Sequence, residues 1–174
     1  MRQIDSTYAA TVVGPRLAEA YLNAGQEIVA QRLGQETDLL RAEEYLSKAT
    51  RLGGDTTLAE QAYGQLTSYL AGARALQEGD AATAVALLES IYQTAPNYLG
   101  GELAEQLYTG YLTLGKRTAE QGDLTGALAL YNKAAALAVP DNSEAVQQAQ
   151  ALSAAPVAAP EPQVAVQVEA AAPV

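Results

Sequence analysis

The stretch LYTGYLTLGKRTAEQGDLTGALALYNKAAALAVP, residues 107–140, decides how this chain folds. On both sides of Gly122 and Asp123, apolar residues recur every three or four positions, which is the period of a helix face that packs on a core. Gly122 can adopt the left-handed conformation that ends a helix, and Asp123 can accept a hydrogen bond from a free amide of the next helix. The stretch therefore predicts two helices joined as a hairpin.

The same arrangement occurs earlier in the chain. Gly79 and Asp80 repeat the glycine–aspartate pair at an offset of 43 residues. A looser third copy contains Ala42 and Leu46. The helices that open the three units share the signatures LAEAY from Leu17, LAEQAY from Leu58 and LAEQLY from Leu103. A repeat of 41 to 45 residues is typical of stacked helical hairpins, in which each unit buries its apolar face against the next.

The spacing within the units resembles the tetratricopeptide repeat family. In that family, a glycine of the first helix and an alanine twelve residues later are the small positions where two helices touch, and a bulky residue follows four positions on. Two units keep this spacing, and their predicted helix-packing residues are Gly72, Ala84 and Leu88, and Gly115, Ala127 and Tyr131. In the first unit, the position at which the family has the glycine is occupied by Ala30. The period exceeds the roughly 34 residues usual in the family.

The resemblance implies an all-α fold, a right-handed α-solenoid of three such hairpins. Residues 141–143 offer a helix cap, so residues 144–153 are predicted to form a C-terminal capping helix. The predicted organisation is an N-terminal arm (1–14), a repeat domain (15–153) and an extended Pro/Ala/Val-rich tail (154–174). Residues 1–13 fit either a strand or a short helix. The tail fits either a solvated linker or a docked strand, since its valines alternate with other residues at Val164, Val166 and Val168.

Composition excludes several function classes. With 20 acidic and 10 basic side chains the chain carries a net charge of −10, so we expect no binding to nucleic acid. The sequence has no His and no Cys, which removes the usual nucleophiles, neutral-pH proton carriers and zinc ligands. We therefore expect no enzymatic activity, cofactor or metal. No apolar run is long enough to span a membrane. Residues 1–5 lack the apolar core of a signal peptide.

Two functions fit these observations. In the first, the chain is a structural subunit that binds copies of itself through its solenoid ends and tail, as in a filament or sheath. Abundant Thr, Gln, Tyr and Ala, scarce Lys and absent Cys favour an extracellular or cell-surface setting for it. In the second, it is an adaptor that holds a partner peptide in a concave groove, as the family resemblance implies. The groove candidates are Tyr69, Ala73 and Gln77 in the second unit and Leu112 and Lys116 in the third. Since Lys116 alone suits a carboxylate clamp, an apolar or basic ligand is expected.

Overall fold

The computed structural model describes residues 9–31 and 35–154, and within these ranges all regular secondary structure is helical. The prediction of an all-α protein is confirmed. A short π-helical turn, Ala9–Val13, leads into α1, and a 3₁₀ turn, Tyr98–Gly101, leads into α5. The helices are α1 (Gly14–Ala30), α2 (Glu36–Ala49), α3 (Thr57–Gln77), α4 (Ala81–Tyr92), α5 (Glu102–Glu120), α6 (Leu124–Ala135) and α7 (Ser143–Ala154).

The helices contact one another in chain order. The closest packing joins α1 to α2, α3 to α4 and α5 to α6, so that the described chain forms three helical hairpins. Successive hairpins meet through α2 against α3 and α4 against α5, and α7 covers α6. One core cluster of buried residues runs from Leu39 in α2 to Ala145 in α7. The burial of apolar side chains between helices that follow one another in the chain therefore holds the fold together.

Two of the hairpin turns have the same chemistry. Gly79 and Gly122 adopt φ values of +82° and +88°, which a side chain would oppose. The next residue, Asp80 or Asp123, donates its backbone N–H to a carbonyl five residues earlier. Each aspartate also caps the following helix, because its carboxylate accepts a hydrogen bond from the N–H three residues on, at 3.1 and 2.8 Å. These turns match the sequence prediction in detail.

A glycine marks the closest approach of the two helices in each hairpin. A Cβ built on Gly72 would lie 2.7 Å from Leu88 Cδ2, and one built on Gly115 would lie 2.8 Å from the ring of Tyr131. The nearest atoms to each glycine thus come from the bulky residue, and Ala84 and Ala127 are fully buried beside it. A larger residue at either glycine would have to displace the side chain of Leu88 or Tyr131.

The first hairpin has the same crossing, but at Gly25. A Cβ built on Gly25 would lie 2.7 Å from Leu46 Cγ and 3.3 Å from the carbonyl oxygen of Ala42. Ala30, which the constant spacing predicts for this position, is instead exposed at the end of α1. The spacing from the glycine to the alanine is 17 residues here and 12 in the other hairpins, so counting back twelve residues from Ala42 lands five residues too late.

The helix-opening signatures do not occupy equivalent places. Leu103 is fully buried, whereas Leu17 and Leu58 expose 42% and 62% of their surface. The shared letters therefore do not mark one structural position.

Both ends of the described chain are helical. Residues Ala9–Val13 form a π-helical turn, so the strand alternative is wrong for them, while residues 1–8 lie outside the described chain. Pro15 causes no break, because the first N–H groups of a helix have no partner within it. In α7, Ala145 and Ala149 are buried. The outer face of α7 exposes Gln147, Gln148 and Gln150.

The predicted tail strand at Val164, Val166 and Val168 lies outside the described residues. Within the described ranges, we find no helix that combines the length and the apolar character needed to cross a membrane.

Candidate protein-binding groove

A groove of about 650 Å³ lies between α2, α3 and the start of α5. It continues along α3 and α5 into a second depression of about 480 Å³, since Ala73, Gln77, Glu102 and Gln106 line both. We call the two together the acidic groove. Each of the two depressions has a volume in the range of protein ligand sites, roughly 300 to 1,000 Å³.

The floor of the acidic groove is apolar. Leu39 and Tyr69 are almost fully buried beneath it, and Leu70 and Ala73 are half-buried along α3. Leu40 lies on the α2 side and exposes 49% of its surface, which is high for a leucine. An apolar side chain in contact with this floor would remove more of Leu40 from water.

Tyr69 is held in place by polar contacts that reach across to α5. Its hydroxyl donates to Glu102 Oε1 at 2.9 Å and accepts from Gln106 Nε2 at 3.2 Å. Burial, followed by the hydrogen bond to the Glu102 carboxylate, raises the pKa of the Tyr69 hydroxyl far above its usual range. The hydroxyl is therefore a fixed, neutral donor, and the Glu102 carboxylate keeps one oxygen for other contacts.

The rim of the acidic groove carries five glutamates and a single arginine. Arg74 forms an ion pair with Glu78, in which Nε lies 2.8 Å from Oε1. Within the described chain this leaves no basic side chain paired with the rim carboxylates of Glu36, Glu43 or Glu105. The groove thus has a negative rim around an apolar floor.

A second, smaller pocket of about 370 Å³ lies between α1, α2, α3 and the turn before α5. Every described residue that lines it is uncharged. Amide side chains come from Gln26, Gln65 and Asn97, and the other contacts are apolar. We call it the neutral pocket; its apolar lining comprises Val29, Ala30, Leu46, Ala62, Tyr98 and Leu99.

The turn that forms one wall of the neutral pocket has an unusual backbone. Leu99, Gly100 and Gly101 all have positive φ, at 51°, 67° and 106°. A leucine rarely adopts this conformation, but Leu99 is 95% buried, and packing holds it there. The turn presents Tyr98, whose ring centroid lies 6.0 Å from that of Tyr69. Burial raises the pKa of Tyr98 to about 12.

The two aromatic rings lie between the neutral pocket and the acidic groove. Tyr98 lines the first and Tyr69 the second. Four of the lining residues of α3 follow one stripe: Ala62 and Gln65 in the neutral pocket and Ala73 and Gln77 in the acidic groove. A single extended ligand could therefore contact both sites along α3.

The structure brings together only part of the predicted groove. Tyr69, Ala73 and Gln77 line the acidic groove. Leu112 instead packs against the core beside Ala127 and Tyr131, and Lys116 is exposed on α5 without lining a described part of the groove.

Sequence reasoning missed the contributions of α2 and of the α1–turn wall. For α2, a usable signal was Leu40, an apolar residue that falls outside the buried stripe of the helix and so indicates a contact surface. For Leu99, the sequence carried no comparable signal.

The polar side chains that line the acidic groove carry carboxylates, amides, hydroxyls and the guanidinium of Arg74. Within the described ranges, no group of potential metal ligands was found. Among known proteins, no family model matches the chain, and no curated protein matches it.

Proposed function

We propose that this chain is a non-enzymatic protein-interaction scaffold that binds a basic segment of a partner protein in the acidic groove. The observation that carries this proposal is the rim of five carboxylates around the apolar floor, because within the described chain only that of Glu78 has a basic partner. Lysine or arginine side chains would contact the rim, and their aliphatic stems would cover the floor.

We further infer a right-handed solenoid of tetratricopeptide-like hairpins as the scaffold. The chain-ordered contacts and the glycine crossing in each hairpin support this interpretation. In such an arrangement, residues from several hairpins line one surface. The acidic groove fits this, since it takes residues from all three.

Charge argues against the chain's own copies and tail as occupants of the groove. The net charge of −10 makes the approach of a second copy unfavourable at low ionic strength. Residues 155–174 contain Glu161 and Glu169 and no basic residue. A basic partner is therefore the better match.

The proposal is tested with a labelled 15-residue peptide of Ser and Ala that carries three central lysines. We expect it to bind at low salt, to dissociate as salt is raised, and to lose binding when the lysines are replaced by glutamates. Microscale thermophoresis measures each affinity.

A matched pair of triple variants locates the binding site. Replacing Glu36, Glu43 and Glu105 by Gln should weaken binding by roughly tenfold, since each exposed charge pair contributes about 0.2 to 1 kcal/mol. The control replaces Glu19, Glu120 and Glu144, which are exposed elsewhere, and changes net charge equally. Equal weakening by both triples would show that the peptide binds the overall charge and not the groove.

Self-assembly as a structural subunit is a second proposal, favoured by one surface. Pro15 lies against Gly54, which places the start of α1 beside the turn that precedes α3. At this end Val13, Leu17 and Leu58 are exposed by 47%, 42% and 62%. Burial of such residues against a second copy would be favourable. The exposed glutamines of α7 make the opposite end a poor partner for head-to-tail stacking.

Analytical ultracentrifugation tests the second proposal. Replacing Leu17 and Leu58 by Ser should abolish association of the full chain if this end forms the contact. Removing residues 154–174, or replacing Val164, Val166 and Val168 by Ser, should weaken association if the tail locks neighbouring copies. A full chain that sediments as a monomer at all concentrations would refute self-assembly.

A further inference from the structure

We propose that the partner segment has two parts: a basic cluster that lies in the acidic groove, and one apolar side chain, about four residues away, that enters the neutral pocket. This inference rests on the proposed function and specifies the partner's sequence. It makes the neutral pocket a specificity site.

The two sites differ in chemistry. The acidic groove has carboxylates on its rim, whereas every described residue of the neutral pocket is uncharged. A cation would lose water in the neutral pocket without gaining a charged partner, which is unfavourable. An apolar side chain there would contact Leu46, Ala62 and Leu99. The charge pattern therefore assigns a different residue type to each site.

The geometry sets the spacing between the two parts. Both sites lie along α3, and Gln65 in the neutral pocket is eight residues from Ala73 in the acidic groove. A helix rises 1.5 Å per residue, so these positions are about 12 Å apart along α3. An extended peptide advances about 3.3 Å per residue and covers this distance in about four residues.

The wall between the sites is rigid enough to enforce that spacing. Tyr69 is fixed by Glu102 and Gln106, and Tyr98 rests against it from a turn that Leu99 anchors in the core. A peptide crossing this wall would contact the partly exposed ring of Tyr98, behind which Tyr69 is almost fully buried. Its apolar residue and its basic cluster would then lie on opposite sides of this wall.

A leucine scan tests the inference. The probe is the same Ser/Ala peptide with three central lysines, and one leucine is placed in turn at each position on either side of the cluster. We expect one side only to respond, with a gain of about tenfold or more when leucine is near the fourth residue from the lysines.

Filling the pocket provides the matched control. Ala30 lines the neutral pocket and is exposed, so Ala30→Trp should occupy the pocket without disturbing the core. In this variant the leucine gain should vanish, while binding of the leucine-free peptide stays unchanged. Ala20→Trp, at an exposed position on the same helix, should keep the gain.

The outcomes separate this inference from the proposed function. If the leucine-free peptide binds the groove but no leucine position improves affinity, or if Ala30→Trp keeps the full gain, the inference is wrong and the basic-segment function stands. If the lysine peptide does not bind the wild-type protein, the proposed function is wrong, and the inference that rests on it is wrong as well.

Discussion

The first and second hairpins close over the same kind of contact although their turns differ. In the second, twelve residues separate Gly72 from Ala84, and the turn contains a left-handed glycine and a capping aspartate. In the first, seventeen residues separate Gly25 from Ala42, and the residue before α2, Gln35, makes no capping hydrogen bond with its side chain. The glycine crossing is therefore the constraint on both hairpins, whereas the turn can vary in length and chemistry.

The largest expected effect comes from the leucine that faces each glycine. Leu88→Ala and Leu46→Ala should each lower the free energy of unfolding by about 2 to 5 kcal/mol, because both side chains are essentially fully buried and a cavity would remain. Urea unfolding followed by circular dichroism measures the change. Leu124→Ala, at a residue 48% exposed, is the control and should cost much less. If Leu46→Ala matched the control, the first hairpin would not close like the second.

A second experiment asks which residue forms the crossing in the first hairpin. Gly25→Leu should cost about 1 to 3 kcal/mol, since its side chain would meet Leu46 and the backbone of Ala42. Ala30→Leu should change stability by at most about 0.5 kcal/mol, because Ala30 is exposed and the neutral pocket beside it has room for a larger side chain. The reverse ranking in thermal melts would restore Ala30 as the crossing residue.

The capping aspartates separate the later hairpins from the first. Asp123→Ala should lower stability by about 1 kcal/mol, the typical effect of losing a helix cap. Asp123→Asn keeps a side-chain oxygen as acceptor and should therefore retain most of the stability that the cap contributes. An alanine variant as stable as the parent in urea would mean that the cap contributes nothing.

The equivalent cap at Asp80 should depend on pH. Hydrogen bonds from the side chain and backbone of Thr83 lower the pKa of the Asp80 carboxyl below its ordinary value. A lowered folded-state pKa stabilises the protein above the unfolded pKa, near 4, and that contribution disappears as pH falls through the folded value. The difference in urea midpoint between wild type and Asp80→Ala should therefore be full at pH 7 and shrink below about pH 4. A difference that is constant down to pH 3 would contradict this.

The smallest effect would come from giving the first hairpin the cap that it lacks. Gln35 has an extended backbone, with φ −80° and ψ 128°, which suits a residue that precedes a helix. Gln35→Asp should raise stability by less than about 1 kcal/mol, measured as a small rise in melting temperature. Gln35→Ala, without an acceptor, should give no rise.

Much of the fold could be predicted from the sequence because its determinants are local. The glycine–aspartate pairs mark turns through backbone conformation and capping, and the apolar period marks helix faces. The first crossing could not be located this way, since its position depends on the length of the turn. Leu17 and Leu58 illustrate the same problem. They open the same sequence signature as the buried Leu103 but are exposed, because the signature does not reveal which side of the helix a neighbouring helix covers.

The candidate site, too, could be predicted from the sequence only in part. Tyr69, Ala73 and Gln77 follow one helix face, and the resemblance to the tetratricopeptide family predicted them as groove positions on α3. Leu112 was predicted to line the groove but packs against α6 and α7 instead. These helices lie later in the chain, so the pattern of α5 alone does not show that they cover this face. The neutral pocket depends on Leu99 in a left-handed conformation, which only the surrounding packing explains.

The chain-ordered contacts described above also determine how fast this protein should reach its native state. Nearly every helix packs on its neighbours in sequence, so few long loops must close before favourable contacts form. Chains with such local contacts fold in microseconds to milliseconds, whereas chains of similar size with distant pairings take up to seconds. The same locality lets a hairpin form before its neighbours exist. During synthesis, the first hairpin could then fold while the third is still being made.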